Sequence, residues 1–267
     1  MKRMYFTSRD RKYQKKILDW TPKKIIDIHT HTGIPSHYNA LTTEKRKNSF
    51  AASLNEEIGY QSRKELLNSY KKLFPGIDVM YASFPFPFKE VNIHKANKYV
   101  MNSDFPFLLI NSNIDQRVFD LENPKIFGAK VYYDFVEKPY KEIEIYDYVS
   151  PLLMKKLDEK KKILMLHVPG NSLADKKNML QVKKISEDYP NAKIILAHMG
   201  RCQTKKQAKS SFCFFKNSKN VYLDTSTVSN PEVFMEGLKN FGAKRIIYGS
   251  DSPLANLKAR IMKTETD

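Results

Sequence analysis

Short apolar runs punctuate the chain at regular intervals, with polar stretches between them. The runs are "KIIDIHTH" (24–31), "IDVMYASF" (77–84), "FPFLLINS" (105–112), "FGAKVYYD" (127–134), "KILMLHVP" (162–169), "KIILAHMG" (193–200), "NVYLDTST" (220–227) and "KRIIYGSD" (244–251). Most are near-continuous rather than strictly alternating, the pattern of strands whose outer face is covered by helices. The intervening stretches predict helices over about 62–73, 90–103, 115–123, 144–160, 174–188, 204–217 and 231–240, with a short one after Pro253. "NPEVFMEGLKNFG" opens on Asn-Pro and closes on Gly, a helix start and stop.

Strands alternating with helices eight times over predict an α/β protein, a (β/α)8 TIM barrel, within the 267 residues. A doubly wound open sheet is the rival, but it more often has fewer strands and a Gly-rich first turn. One domain spanning 1–267 is expected. Residues 1–22 are expected to form a basic, solvated arm, and 33–61, too long for an ordinary βα loop, a lid or substrate loop. The final helix is expected to be short or incomplete, leaving either a shortened chain or a gap that the first 22 residues cover.

Composition narrows the function class. No apolar run reaches the roughly 20 residues of a membrane span, and the N-terminus lacks the apolar core of a secretory signal. Cys202 and Cys213 form no metal-spaced or redox pair, which suits a reduced, cytoplasmic compartment. The formal charge of +17 raises nucleic acid as a partner. The lysines, however, are spread along the chain, and no nucleic-acid-binding motif is present. A solvated surface is therefore expected, with neither nucleic acid nor membrane as partner. The positive field would favour a small anionic substrate. Self-association stays open.

The strand ends carry the chemistry. His29 and His31 lie two apart on the first run, so both face one side of a strand. His167 ends the fifth run, His198 the sixth and Asp251 the eighth, while Lys130 lies on the fourth. The separations are 99 residues from His31 to Lys130, then 37, 31 and 53, about 25–37 per βα unit. All six side chains would then meet at the mouth of the barrel, where this fold keeps its active sites. A histidine at one strand end is ordinarily a solvated or capped residue; the full set at one end of the barrel is not explained that way. Imidazoles with a carboxylate suit zinc or a similar divalent ion, one or two, with a position left for water. Such an ion makes a hydroxide nucleophile near neutral pH. Asp251 is placed to take a proton from that water and pass it on. Asp27 is expected to point away from the two histidines, as a structural or supporting residue. His37 and His94 read as loop and helix-surface residues.

"DIHTH", "GAKVYY", "LMLHVPG", "ILAHMGR", "VYLDTST" and "IIYGSDSPL" together resemble the amidohydrolase superfamily, and within it the amidohydrolase 2 group, over roughly 24–255. The resemblance implies His29, His31 and His167 as metal ligands and Asp251 as ligand and proton shuttle. It implies for His198 either a second metal or a role on substrate and water. In binuclear members a carboxylated lysine on the fourth strand bridges two metals; Lys130 would hold that place, or else pair with an acid. Arg201 is a candidate for binding a substrate carboxylate, or a helix cap. Tyr132 or Tyr133 is expected to face the pocket. "PFPF" (85–88) walls the pocket or forms a turn, and Cys202 packs against a helix. The function implied is a metal-dependent hydrolase in which metal-bound hydroxide attacks an amide, cyclic amide or lactone carbonyl. The alternative is a metal-dependent, non-oxidative decarboxylase of an aromatic or unsaturated acid. A metal-free binding protein on the same barrel is the remaining class.

Overall fold

The apolar runs do become a parallel barrel, and the side-chain alternation within each strand shows why. In the strand Ile163–Leu166, Leu164 and Leu166 join the core between sheet and helices, while Ile163 and Met165 face the barrel interior. A strand covered on both faces has no polar side to spare, so its sequence runs apolar throughout. The computed structural model describes residues 8–39, 60–111 and 116–255.

The strands are β1 (Lys24–His31), β2 (Asp78–Phe84), β3 (Phe105–Leu109), β4 (Gly128–Val131), β5 (Ile163–Leu166), β6 (Lys193–Leu196), β7 (Val221–Asp224) and β8 (Ile246–Ile247). They form one sheet in sequence order, every neighbouring pair parallel. The chain beyond β8 brings the sheet back to its start. The amide of Ile28 donates to Tyr248 O at 2.9 Å, that of Asp251 to His29 O at 2.7 Å, and that of His31 to Ser252 O at 2.8 Å. The barrel is therefore nearly closed, as expected for a TIM barrel. Its interior is packed by Ile28, Phe84, Phe107, Met165 and Ile195. Gly128 opens β4 because a Cβ there would lie 2.1 Å from the Ile163 carbonyl oxygen and 2.7 Å from the Phe107 ring.

Outside lie α1 (Ser8–Leu18), α2 (Arg63–Leu73), α3 (Ile93–Val100), α4 (Pro151–Glu159), α5 (Lys176–Asp188), α6 (Lys205–Phe212) and α7 (Pro231–Phe241). The α2 start is a capping box between Ser62 and Glu65, and Asn230 caps α7, which ends at Gly242 with φ 69°. Four expected helices are shorter, the one over about 90–103 spanning only Ile93–Val100. Residues 116–122 form a 3-10 helix. The helix expected from 144 starts only at Pro151, whose ring favours the first helical position, after a 3-10 turn at Ile145–Asp147. The one expected to reach 217 ends at Phe212 and passes into a 3-10 turn.

Part of the N-terminal segment is the helix α1, whose side chains stay mostly exposed. Of the stretch expected as a lid, 40–59 lie outside the described residues. Its ends pack at the mouth: Tyr38 bridges Val91, and Gln61 Nε2 donates to His31 O at 3.2 Å. The short helix expected after Pro253 begins at Leu254, and the rest of it falls on residues outside the described ones.

Candidate metal centre

β1 does not alternate cleanly, and the irregularity builds the site. Ile28 faces the barrel interior, so strict alternation would send His29 outward. The register with β2 shifts between Asp27 and Thr30, a bulge that turns His29 inward behind Ile28. Asp27 stays on the outer side as expected, buried, accepting from Tyr70 Oη of α2 at 2.9 Å and from the amides of Ser250 and His29 at 3.0 and 3.1 Å. Burial pushes its carboxyl up against those hydrogen bonds.

His198 needs a second departure. Ile195 and Ala197 face inward, so position 198 would face out. His198, Met199 and Gly200 instead take left-handed backbone conformations (φ 57°, 50° and 65°), and Arg201 follows at φ 59°. This turn swings the imidazole into the mouth. Asp251 is also left-handed, at φ 51°. Such conformations cost a non-glycine residue roughly 1–2 kcal/mol each and tend to cluster at functional sites.

The six expected residues converge, all of them buried. His29 Nε2 lies 3.4 Å from Asp251 Oδ1, and His31 Nε2 lies 3.3 Å from the same oxygen. His29 stacks on His198 with ring centroids 5.1 Å apart, and His198 meets His167 edge-on at 4.9 Å. Lys130 Nζ is 3.5 Å from His29 Nε2. One ligand atom each from His29, His198 and Asp251 fall within 4.8 Å of one another.

Two residues that sequence reasoning missed set the tautomers. Asp224, at the end of β7, places Oδ2 2.8 Å from His29 Nδ1. Ser226 Oγ makes a short bond to Asp224 Oδ1 and lies 2.7 Å from His198 Nδ1. A buried carboxylate only accepts, so the Ser226 hydroxyl donates to Asp224 and accepts from His198 Nδ1–H. His31 Nδ1 donates likewise to Pro85 O at 3.1 Å. His29, His31 and His198 therefore all turn an Nε2 lone pair toward the centre, where Asp251 offers only lone pairs in return. Acceptors crowded on acceptors are unfavourable unless a cation lies among them, so the donor set fits a divalent ion. The buried Nδ1 of His167 lacks a hydrogen-bond partner among the described residues, leaving it available as a further ligand atom. Asp224 had a signal: β7 alternates Val221 and Leu223 outward, so Asp224 is an inward carboxylate at the mouth.

Burial also holds His31, His167 and His198 neutral, the form that binds metal. It pushes His198 down to about 4, and it lowers His31 and His167 as well. For Asp251, burial acts upward, and positive charge on the neighbouring His29, His31 and His198 draws the carboxyl below its usual range in the states where an imidazole is protonated. Burial lowers Lys130 to about 8, against the pull of Asp251 and Asp224.

Tyr132 stacks on Tyr133 at 4.5 Å and meets His167 edge-on at 5.0 Å, walling the strand-4 side of the mouth. Arg201 stands at the rim, its Nη1 donating to Val168 O, Gly170 O and Tyr140 Oη at 2.8–3.1 Å. Phe86 and Phe88 of "PFPF" are buried in a small cluster with Tyr38 and Tyr60, and Phe86 lies 5.5 Å from His31. Cys202 is buried near Ser211. His37 is buried against Tyr99 rather than exposed in a loop, which corrects its expected setting.

The amidohydrolase family model, Amidohydro_2, matches residues 120–262 of this sequence. No curated protein sequence matches it. Among solved structures the fold is similar to an uncharacterised TIM-barrel protein from Bordetella bronchiseptica (13% identity, covering 91% of each chain, TM-score 0.61). It is similar also to 4-oxalomesaconate hydratase from Rhodopseudomonas palustris (14% identity, 86% of this chain and 82% of that one, TM-score 0.57). A third is a manganese-bound dihydroxybenzoic acid decarboxylase from Polaromonas (14% identity, 88% of each, TM-score 0.56). At these identities the likeness is one of fold.

Proposed function

The chain belongs to the amidohydrolase family, whose model spans more than half of it, and on that premise we propose a metal-dependent hydrolase that opens an amide, cyclic amide or lactone of a small anionic substrate. The observation that carries this reading is the convergence of the Nε2 lone pairs of His29, His31 and His198 on Asp251, an arrangement suited to a divalent cation. Zinc suits a mostly nitrogen donor set, with His167 as a further candidate ligand and Lys130 one only once it has given up its proton. A divalent ion bound there supplies polarisation of an acyl oxygen and acidification of water.

The chain's own groups do the rest. Asp251, held ionised among imidazoles, accepts a proton from the attacking water and returns it to the leaving nitrogen or oxygen. His198, its Nδ1–H given to Ser226, presents a bare acceptor at Nε2, suited to orienting water. That favours hydrolysis over decarboxylation, which needs an acid to protonate carbon. Neutral imidazoles, a largely protonated Lys130 and a divalent ion carry more positive charge than Asp224 and Asp251 cancel, which favours an anionic substrate. Tyr132 walls the pocket beside His167. The Arg201 guanidinium, braced through Nη1, keeps its other N–H groups for a substrate carboxylate.

The test is a panel of small carboxylated lactones and amides and of aromatic acids, run in 18O-water with the metal-loaded protein. Hydrolysis places one 18O in the new carboxylate and abolishes turnover in Asp251→Asn. Release of CO2 without label incorporation into the product refutes the hydrolase reading.

A further inference from the structure

At the end of the barrel opposite the mouth, the segments leading into the strands carry more lysines than acids, although Asp19, Asp78, Asp158, Glu187 and Asp188 lie there as well. The segments that lead into the strands read "DWTPKK" before and into β1, "EKKK" before β5, "KNSKN" before β7 and "GAKR" before β8, with Lys125 shortly before β4. Two of these cations are spent within the fold. Lys162 Nζ binds the carbonyls of Asn123 and Ile126, and the Arg245 guanidinium binds five backbone carbonyls of 215–218 and 240–241. Lys23, Lys125, Lys160, Lys161, Lys219 and Lys244 remain exposed. At the mouth end one loop, 132–150 after β4, carries five acids against two lysines. The exposed lysines turn the far end toward an anionic surface.

The same basic end exposes apolar side chains. Trp20, just before β1, is 91% exposed, and Phe127, just before β4, is 41% exposed. Tyr13 and Ile17 of α1 are exposed seven and three residues before Trp20, the spacing of one helical face. Gln14 Nε2 donates to Leu73 O at 2.9 Å, which fixes α1 at the C-terminus of α2, at this end of the barrel.

We propose that this face docks on an anionic lipid bilayer, with lysines over the headgroups and Trp20, Ile17 and Phe127 in the interfacial layer. Exposed aromatics and aliphatics beside lysines suit a headgroup boundary, where a ring is half solvated and half in acyl chain. Nucleic acid fits less well. Arg245 has its fork turned onto carbonyls, so apart from Arg11 of α1 the exposed charge here is carried mostly by lysine point charges rather than bidentate phosphate binders. Among the described residues no helix is long and apolar enough to cross a membrane, so the association is with the surface. Docked this way, the mouth opens away from the bilayer.

Trp20 is the single tryptophan of the chain, so its emission reports this face alone. The metal-loaded, full-length protein is titrated with phosphatidylcholine vesicles with and without phosphatidylglycerol, following Trp emission and cosedimentation. A blue shift and sedimentation only with the anionic vesicles, reversed by raised salt, is expected. Lys23→Gln, Lys160→Gln and Lys161→Gln combined should weaken binding roughly 100-fold, about five-fold per lysine, with the far-UV circular dichroism and thermal midpoint unchanged. The proposal is overturned by equal binding to neutral vesicles, by no binding to anionic ones, or by a triple variant that binds as the parent does. A blue shift on single-stranded RNA or duplex DNA without vesicle binding overturns it in favour of a nucleic-acid face.

Discussion

Removing the charge of Lys130 is expected to stabilise the metal-free protein. Lys130 is 1% exposed, its Nζ 3.5 Å from His29 Nε2 and 5.5 Å from the centroid of the Phe84 ring. Burial takes its pKa from the ordinary 10.5 to about 8, so the protonated amine is less favourable in the fold than in the unfolded chain. Below pH 8 both states hold the proton and the full cost is present. Between about 8 and 10.5 the folded state releases the proton first, the unfolded state binds more, and stability rises with pH. At about 1.36 kcal/mol per unit the cost is at most about 3 kcal/mol, with no solvent screening to reduce it at so buried a site. Lys130→Met, similar in length and uncharged, should gain that much at pH 7 and almost nothing near pH 10.5. Urea unfolding by far-UV circular dichroism, in EDTA at pH 7, 8.5 and 10, reads the difference. A variant less stable at pH 7, or a gain that does not shrink with pH, refutes the reasoning. Carboxylation of the amine would give the first of these results, because the parent would then hold an anion among four imidazoles.

Two further predictions test the surroundings of the centre. A Cβ at Gly249 would lie 2.9 Å from His29 Cβ and 3.1 Å from Asp224 Oδ1, so Gly249→Ala must displace one of the pair that orients His29. It should cost about 1–3 kcal/mol of stability and at least about ten-fold in metal affinity, read by chelator competition; unchanged affinity would show that this pair does not position the ligand. In acid, His198 is buried with a pKa of about 4 against 6.5 unfolded, so its contribution is intact above about pH 6.5 and lost as pH falls toward 4. EDTA-treated protein should lose roughly 2 kcal/mol between pH 7 and 5 from this group, with His31 and His167 adding in the same direction; a flat urea midpoint across that range would contradict the buried, neutral imidazoles.

How much of this was legible depended on whether backbone geometry stayed regular. The strands were legible because burial on two faces leaves apolar runs, and the runs at 24–31, 162–169 and 193–200 contain β1, β5 and β6. Their ends were less so. "FPFLLINS" keeps its apolar character after β3 stops at Leu109, because Ile110 is buried in the outer core without continuing the strand. The convergence of the expected site residues was legible because a polar residue at the end of an apolar run sits at the mouth. Asp224 obeys the same rule but was hidden inside "VYLDTST", where nothing distinguishes a mouth carboxylate from the first residue of a turn. Ser226 was beyond reach, since its role rests on a bond to His198, 28 residues away, that only the closed barrel creates.

The two places where alternation fails are the two that make the site. Read by period two, Asp27, His29 and His31 would share one face of β1, and His198 would point with Leu196 into the helix layer. The bulge between Asp27 and Thr30 and the left-handed turn at 198–201 each shift the phase by one residue. Without the bulge, either Asp27 or the two histidines would be on the wrong side, and the carboxylate that now anchors Tyr70 and the Ser250 amide would crowd the imidazoles instead. Without the turn, Ser226 would have no imidazole to bind and the third Nε2 lone pair would be missing from the centre. Each device costs local stability, the turn through non-glycine residues at positive φ and the bulge through lost ladder bonds. The surrounding bonds hold them in place: Leu173 N–H to Gly200 O at 2.7 Å behind the turn, and Asp251 N–H to His29 O at 2.7 Å across the bulge. A regular eight-stranded barrel of this composition would fold with less strain and would have no centre.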